Sequence, residues 1–202
     1  MSSQQWDARY ATAQAVGLTV WSAGANSFVV SELGGLPPGS AIDLACGEGR
    51  NAVWLAARGW RVTGVDFSAV GIDSARQAAG RDHVHVDWVV ADVTLWTPPR
   101  PADLLLVAYL HLPPALWEAL LSRCATMIVP GGILFVIGHD VQNLRSGAGG
   151  PQDPDVLYRA GMVVPGLRVV RDELVRRPHG EDAVALDRLL WAIKPASRVL
   201  EG

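Results

Sequence analysis

Short apolar runs ending in small or acidic residues recur along the chain. They alternate with longer segments whose apolar positions fall three and four apart. The first run, Ala41-Ile42-Asp43-Leu44-Ala45, reads as a buried parallel strand. The segment after Gly49 reads as a helix with Val53, Ala56 and Ala57 on one face, C-capped by Gly59. A second strand follows over 61–66, and Ser68 caps a helix over 69–79. Residues 83–90 alternate loosely as a third strand that runs into Ala91-Asp92-Val93. The turn Pro98-Pro99-Arg100-Pro101 leads to a continuous apolar strand over 103–110, buried on both faces. Pro113-Pro114 opens a helix over 115–127 whose stripe is Leu116, Leu120 and Leu121. Pro130-Gly131-Gly132 turns into a fifth strand, 133–137, ending in Gly138-His139-Asp140.

At the N-terminal side, Trp6 and Tyr10 stand one helical turn apart, as in a short amphipathic helix closing a core. Residues 21–28 form a polar loop in which Asn26 suits the N-cap of a helix over 28–33. Beyond the fifth strand, 143–154 is long, polar and rich in glycine (Gly147, Gly149, Gly150). Loops of that length in a small domain are usually functional, and this one reads as a lid. A short helix over 155–160 and two strands, 167–176 and 183–193, complete the chain. The brief turn 178–181 between those strands makes them antiparallel. The expected organisation is one α/β domain over 1–202, with 1–38 as an N-terminal cap and 140–155 as an active-site loop.

Gly47 and Gly49 permit a tight turn on which a ligand can lie against the backbone, and the following helix directs its first amides there. The string Gly47-x-Gly49-x-x-Ala52 also fits a dinucleotide fingerprint, so the cradle alone does not choose the ligand. Its carboxylates do: Asp43 and Glu48 attract an ammonium group and repel a pyrophosphate. Asp66 ends the second strand, where an acid accepts hydrogen bonds from both ribose hydroxyls of any nucleoside. Asp43, Asp66 and Asp92 thus end three successive strands, on the side where open α/β sheets bind ligands.

The pattern Asp43-x-Ala45-x-Gly47-x-Gly49 resembles the first motif of class I S-adenosylmethionine (SAM) methyltransferases, with Ala45 where glycine is usual. Through Arg50-Asn51 it is similar to the small-molecule branch related to tellurite-resistance and thiopurine methyltransferases. The resemblance implies a Rossmann-like, seven-stranded, mostly parallel sheet with a terminal antiparallel pair and helices on both faces. It implies SAM as cofactor and its demethylated product, S-adenosylhomocysteine. Tyr10 would cover the cofactor; Asp43, Ala45, Gly47, Gly49, Arg50 and Asn51 would cradle it. Asp66 would take the ribose and Phe67, Asp92 and Val93 the adenine, with Ala108 also binding the cofactor. Asp92 is equally suited to capping a turn.

The same resemblance implies an acceptor pocket drawn from Trp21, Asn26, Tyr109, His111, His139, Asn143 and Tyr158. His111 and His139 are the candidate catalytic residues, because imidazole takes up and releases protons in the useful range. Each also suits a hydrogen-bonded wall. Cys46 reads as packing.

Composition narrows the partners. The 202 residues are half apolar, with net charge −3 and basic residues (sixteen Arg, one Lys) scattered along the chain. That leaves no electrostatic footprint for nucleic acid or a membrane surface. Cys46 and Cys124 are too few for a disulfide framework, no apolar run is long enough to span a bilayer, and no zinc spacing occurs. The expectations are therefore a small-molecule acceptor, no metal, a cytoplasmic location, and a monomer or homodimer. Two other readings remain: a SAM-binding regulatory protein without turnover, and an NAD(P)-dependent oxidoreductase.

Overall fold

The computed structural model describes residues 2–21, 24–146, 149–180 and 183–196. The elements are α1 (Ser3–Ala15), α2 (Ser27–Leu33), β1 (Ser40–Leu44), α3 (Arg50–Ala56), β2 (Arg61–Asp66), α4 (Ala69–Arg81) and β3 (Asp87–Val90). They continue with β4 (Ala102–Ala108), α5 (Pro114–Met127), β5 (Ile128–His139), α6 (Asn143–Ser146), β6 (Arg168–His179) and β7 (Ala183–Ile193). The strand order is β3-β2-β1-β4-β5-β7-β6. The β1–β2, β2–β3 and β4–β5 pairs are parallel, whereas β7 is antiparallel to both β5 and β6. This is the Rossmann-like α/β sheet expected, with its antiparallel end. The chain divides into two compact units, Met1–Thr97 and Pro98–Gly202.

In the first unit β1 is buried from Ala41 to Leu44, and β2 buries Val62, Val65 and Asp66. The helix α1 is longer than the Trp6–Tyr10 spacing suggests. Ser2 and Gln5 form a reciprocal capping box at its start, and Tyr10 is its one buried residue. It is held on α4 through polar contacts: Asp7 accepts from the Ser68 hydroxyl (2.5 Å) and the Val70 amide (3.4 Å), and Gln14 reaches Ser74 (2.5 Å). The buried face of α3 is Asn51, Ala52, Val53 and Leu55, not the expected face carrying Ala56 and Ala57, because the helix starts at Arg50 and is rotated accordingly. The third strand is only four residues long. His83 (φ +54) lies just past the end of α4, and residues 83–86 carry the chain to β3.

In the second unit Leu104, Leu105, Leu106 and Val107 are fully buried, while Asp103 is exposed, so two-sided burial starts one residue later than expected. The buried stripe of α5 is Leu120, Leu121, Cys124 and Met127; Leu116 is exposed. The Pro-Gly-Gly segment bends β5 instead of preceding it, with Gly131 at φ +83 and its amide donating to the Lys194 carbonyl. Residues 155–160 are not an α-helix. A 3₁₀ turn at Pro154–Val156 hands over to Tyr158, which is extended and bridges to Asp140. The loop 143–154 contains the short helix α6, and its Gly147 and Ala148 lie outside the described residues, as do Ser22 and Ala23 of the 21–28 loop and Glu181 of the 178–181 turn.

Candidate active site

Two clusters of chemistry-bearing side chains stand out, one in each unit. In the first unit the chain leaves β1 through Ala45, Gly47 and Gly49, all with positive φ (+57, +55 and +78). Three left-handed residues in five coil the backbone into a tight ring. A Cβ on Gly47 would lie 2.6 Å from the Tyr10 hydroxyl, and one on Gly49 2.5 Å from the Trp88 ring, so neither position has room for a side chain. Tyr10 stacks on Trp6 (5.4 Å) and closes over the loop. Glu48 ties down the next segment by accepting from the Val20 amide (2.9 Å).

Asp43 is 1% exposed, and neither of its carboxylate oxygens has a hydrogen-bond partner. Burial pushes its pKa up to about 7, aided by the Asp66 carboxylate and against the pull of the Arg50 guanidinium and the nearby Ala52 amide. A buried carboxylate left this way is costly unless a positive ligand group completes it. Asp66 is differently placed: one oxygen accepts from the Gly47 amide and the other from the Ser68 amide, both at 2.9 Å. It therefore clamps the glycine loop to the start of α4, and burial raises its pKa despite those contacts. Asp92 is exposed and accepts from the Thr94 amide (2.8 Å) and hydroxyl (2.7 Å), the turn-capping role.

Phe67 is half-buried and Val93 buried. Asn26 caps α2 by accepting from the Phe28 and Val29 amides, while its own amide donates to Asn51 (2.9 Å). Trp21 lies against Trp6 (5.9 Å), with the Arg9 and Arg50 guanidinium groups over its ring. Trp21 and Asn26, expected on the acceptor side, thus make these contacts within the first unit.

In the second unit β4 ends at half-buried Ala108, and Tyr109 follows at φ +58, a strained conformation for an aromatic residue. His111 and His139 stack nearly parallel, 5.5 Å apart and 13° between planes; Tyr109 meets His139 edge-on at 5.0 Å. Tyr158 lies between His111 (5.7 Å) and Trp117 (5.0 Å), and its hydroxyl donates to the Leu110 carbonyl (2.5 Å). The His111 Nε2 is buried without a partner, and burial, with the neighbouring His139, lowers its pKa to about 4. His111 is therefore neutral at pH 7. Asn143 holds a loop: its Nδ2 donates to the Gly149 carbonyl and its Oδ1 accepts from the Leu186 amide, both at 2.8 Å. That loop brings Gly150 (φ +89) against His139, where a Cβ would lie 2.6 Å from the ring. A cleft of about 140 Å³ opens beside Trp117 and Tyr158, lined also by Leu112, Leu157 and Met162.

Sequence reasoning missed Asp187 and Arg177. Asp187 faces His139 across the β5–β7 pair, with Nδ1 to Oδ1 at 3.0 Å, off the line of an ideal hydrogen bond. Its other oxygen accepts from the Tyr109 hydroxyl (2.7 Å) and Arg177 Nε (2.8 Å). Burial alone would raise the Asp187 pKa; His139, Arg177 and Tyr109 outweigh it and hold the carboxyl below its usual range. The available signal was the charged pair Asp187-Arg188 inside the apolar run of β7. Its second member pairs with Asp140 (2.9 Å) and Asp172 (3.4 Å).

Comparison with known proteins agrees with the cradle. Residues 41–132 match the family described as a methyltransferase domain. Trans-aconitate 2-methyltransferase of Azoarcus sp. is 37% identical over 101 residues, 48% of this chain and 38% of that protein. Ribosomal RNA small subunit methyltransferase C of Alcanivorax borkumensis is 29% identical over 111 residues, 50% of this chain and 33% of that protein. The chain thus aligns with about a third of the length of the curated relatives it matches. Among solved structures, TehB from Haemophilus influenzae superposes with TM-score 0.69 at 14% identity, over 84% of this chain and 62% of that one. Over somewhat under half of its length the chain is thus similar to methyltransferases.

Among the described residues no helix is long and apolar enough to cross a membrane, and no cluster of His, Cys, Asp or Glu is arranged to hold a metal ion.

Proposed function

We propose that this chain transfers a methyl group from SAM to a small-molecule acceptor, acting as a single transferase domain with 1–38 as its cap and 140–155 as its active-site loop. The observation that carries the reading is Asp43, a buried carboxylate with two unpartnered oxygens at the mouth of a glycine ring that admits no side chain. Those residues fit an amino-acid nucleoside bearing an ammonium group, and they oppose a pyrophosphate. In this reading Asp43 answers the ammonium, and the Ala45–Gly49 ring with Arg50 and Asn51 lies along the amino-acid portion. Asp66 keeps that ring in place and offers its remaining lone pairs to the ribose. Phe67, Asp92 and Val93 border the base, and Tyr10 shields the ligand from water.

When bound, SAM supplies an already activated methyl group on a cationic sulfur. The protein's share is then mostly alignment, which supplies up to about 7–11 kcal/mol in well-oriented systems. His111, His139, Tyr109 and Tyr158 form the acceptor wall. Their flat rings suit an aromatic or heterocyclic molecule, with neutral His111 offering a hydrogen bond to orient it. Trp21, Asn26 and Asn143 serve the acceptor side indirectly, through the segments they anchor. The net charge of −3 favours a small molecule over RNA, and the cytoplasm remains the expected location.

Parallel isothermal titrations with SAM and NADH test the reading. Binding of SAM alone, followed by a methyl mass shift on one of a panel of phenols, thiols and heteroaromatics, supports it. Binding of NADH instead, or of SAM with no transfer to any acceptor, overturns it.

A further inference from the structure

Among the described residues of the second unit, Asp187 is a fully buried carboxylate whose side chain meets the candidate acceptor residues Tyr109 and His139. Its side chain is 0% exposed, in a strand where Ala185, Leu189, Leu190 and Ala192 are fully buried. Placing a charge there is costly, and replacing such a group by an apolar one is often neutral or stabilising. Here the charge is shared out in an ordered way. Tyr109 and Arg177 occupy Oδ2, leaving Oδ1 for His139 Nδ1 at 3.0 Å. The antiparallel register sets His139 and Asp187 directly opposite each other, so the pairing is built into the sheet. A carboxylate on Nδ1 fixes the imidazole tautomer that leaves Nε2 as the basic atom, and it stabilises the ring once that atom is protonated. Such contacts are often misaligned before a substrate binds.

We infer that Asp187 is a positioning residue that makes His139 a general base through Nε2, so that the acceptor is a molecule that must lose a proton as it is methylated: a phenol, enol or acidic heteroaromatic N–H. This rests on the methyl-transfer reading above. In the step, the acceptor O–H or N–H bond breaks and its proton goes to His139 Nε2. The freed lone pair forms the new bond to the methyl carbon, and the electrons of the broken carbon–sulfur bond stay with the donor sulfur. The titratable and charged groups facing His139 among the described residues are Tyr109 and His111 beyond β4 and Asp187 on β7, with Arg177 of β6 acting through the Asp187 carboxylate. His111 is a poor base because of its lowered pKa, and orients the acceptor instead.

Asp187→Asn keeps the shape and removes the charge. With SAM and a proton-bearing acceptor, kcat is expected to fall about a hundredfold or more while KM changes less than about threefold. The acidic limb of the kcat profile is expected to move to lower pH, because the protonated ring has lost its carboxylate. Thiophenol, ionised without help, is expected to be methylated at nearly the unaltered rate. Long-range nitrogen–proton spectra of the ligand-free chain are expected to show His139 leaving the Nδ1–H tautomer in the variant. Should the variant fail to fold, Asp187→Glu, which keeps the charge but moves the carboxylate by one methylene relative to His139 Nδ1, is expected to shift the same readouts in the same direction by less. An unchanged kcat, pH profile and tautomer, or turnover confined to thiophenol, overturns this inference and leaves methyl transfer standing. Absence of transfer to any acceptor overturns both.

Discussion

Asp43 and Asp66 are near neighbours in the cradle, yet their environments separate their roles. Asp66 spends both oxygens on backbone amides and so maintains a loop. Asp43 spends neither, and its pKa of about 7 means that the ligand-free fold takes up a proton that the unfolded chain releases near 3.8. A raised carboxylate contributes stability below the unfolded pKa and loses it as pH climbs through the folded value. Asp43→Asn is therefore expected to leave the melting temperature nearly unchanged at pH 4 and to raise it at pH 8, by up to about 4 kcal/mol of stability. The same substitution is expected to weaken SAM. Thermal melts at the two pH values and a titration at pH 8 check both halves, and a variant less stable at pH 8 would contradict the cost assigned to this group.

Among the helices of the first unit, α1 buries a single residue, Tyr10, and much of its attachment to α4 is polar. Asp7 joins it to the first turn of α4 through Ser68, which also caps that helix. Asp7→Ala is expected to destabilise the chain by about 1–2 kcal/mol and to speed amide exchange in α1 more than in β1 or β2. Equal acceleration throughout would mean that α1 opens only with the whole fold. This attachment explains why the Trp6–Tyr10 spacing marked an element but understated its length: spacing reports a buried face, and here the helix is set by its capping box. The Leu116 and Ala57 misassignments have a related origin. A stripe drawn from apolar identity alone does not know the rotation at which α5 or α3 docks. Tyr158 was expected on a helix and is extended because its backbone pairs with β5 at His139 and Asp140, a contact no local signal encodes.

At the scale of the molecule, the sheet order and the mixed strand directions follow the expected class. The charge distribution has its own consequence. With net charge −3 and scattered arginines, labelled single-stranded RNA at 50 mM salt is expected to show no binding up to about 10⁻⁴ M protein, across the about 10⁻⁴–10⁻⁶ M range of ordinary non-specific binders. Fluorescence anisotropy checks this, and salt-sensitive binding would move the acceptor class toward nucleic acid.

Local chemistry determined the glycine turn, its carboxylate fringe and the strand–helix alternation, because turn conformations and burial periods are encoded within a few residues. The tertiary structure alone decided that Asp66 would clamp the glycine loop, and that Asp187 and Arg177 would meet Tyr109 and His139. These pairings join residues far apart in the chain, and the strand register that brings them face to face arises only when the sheet has assembled.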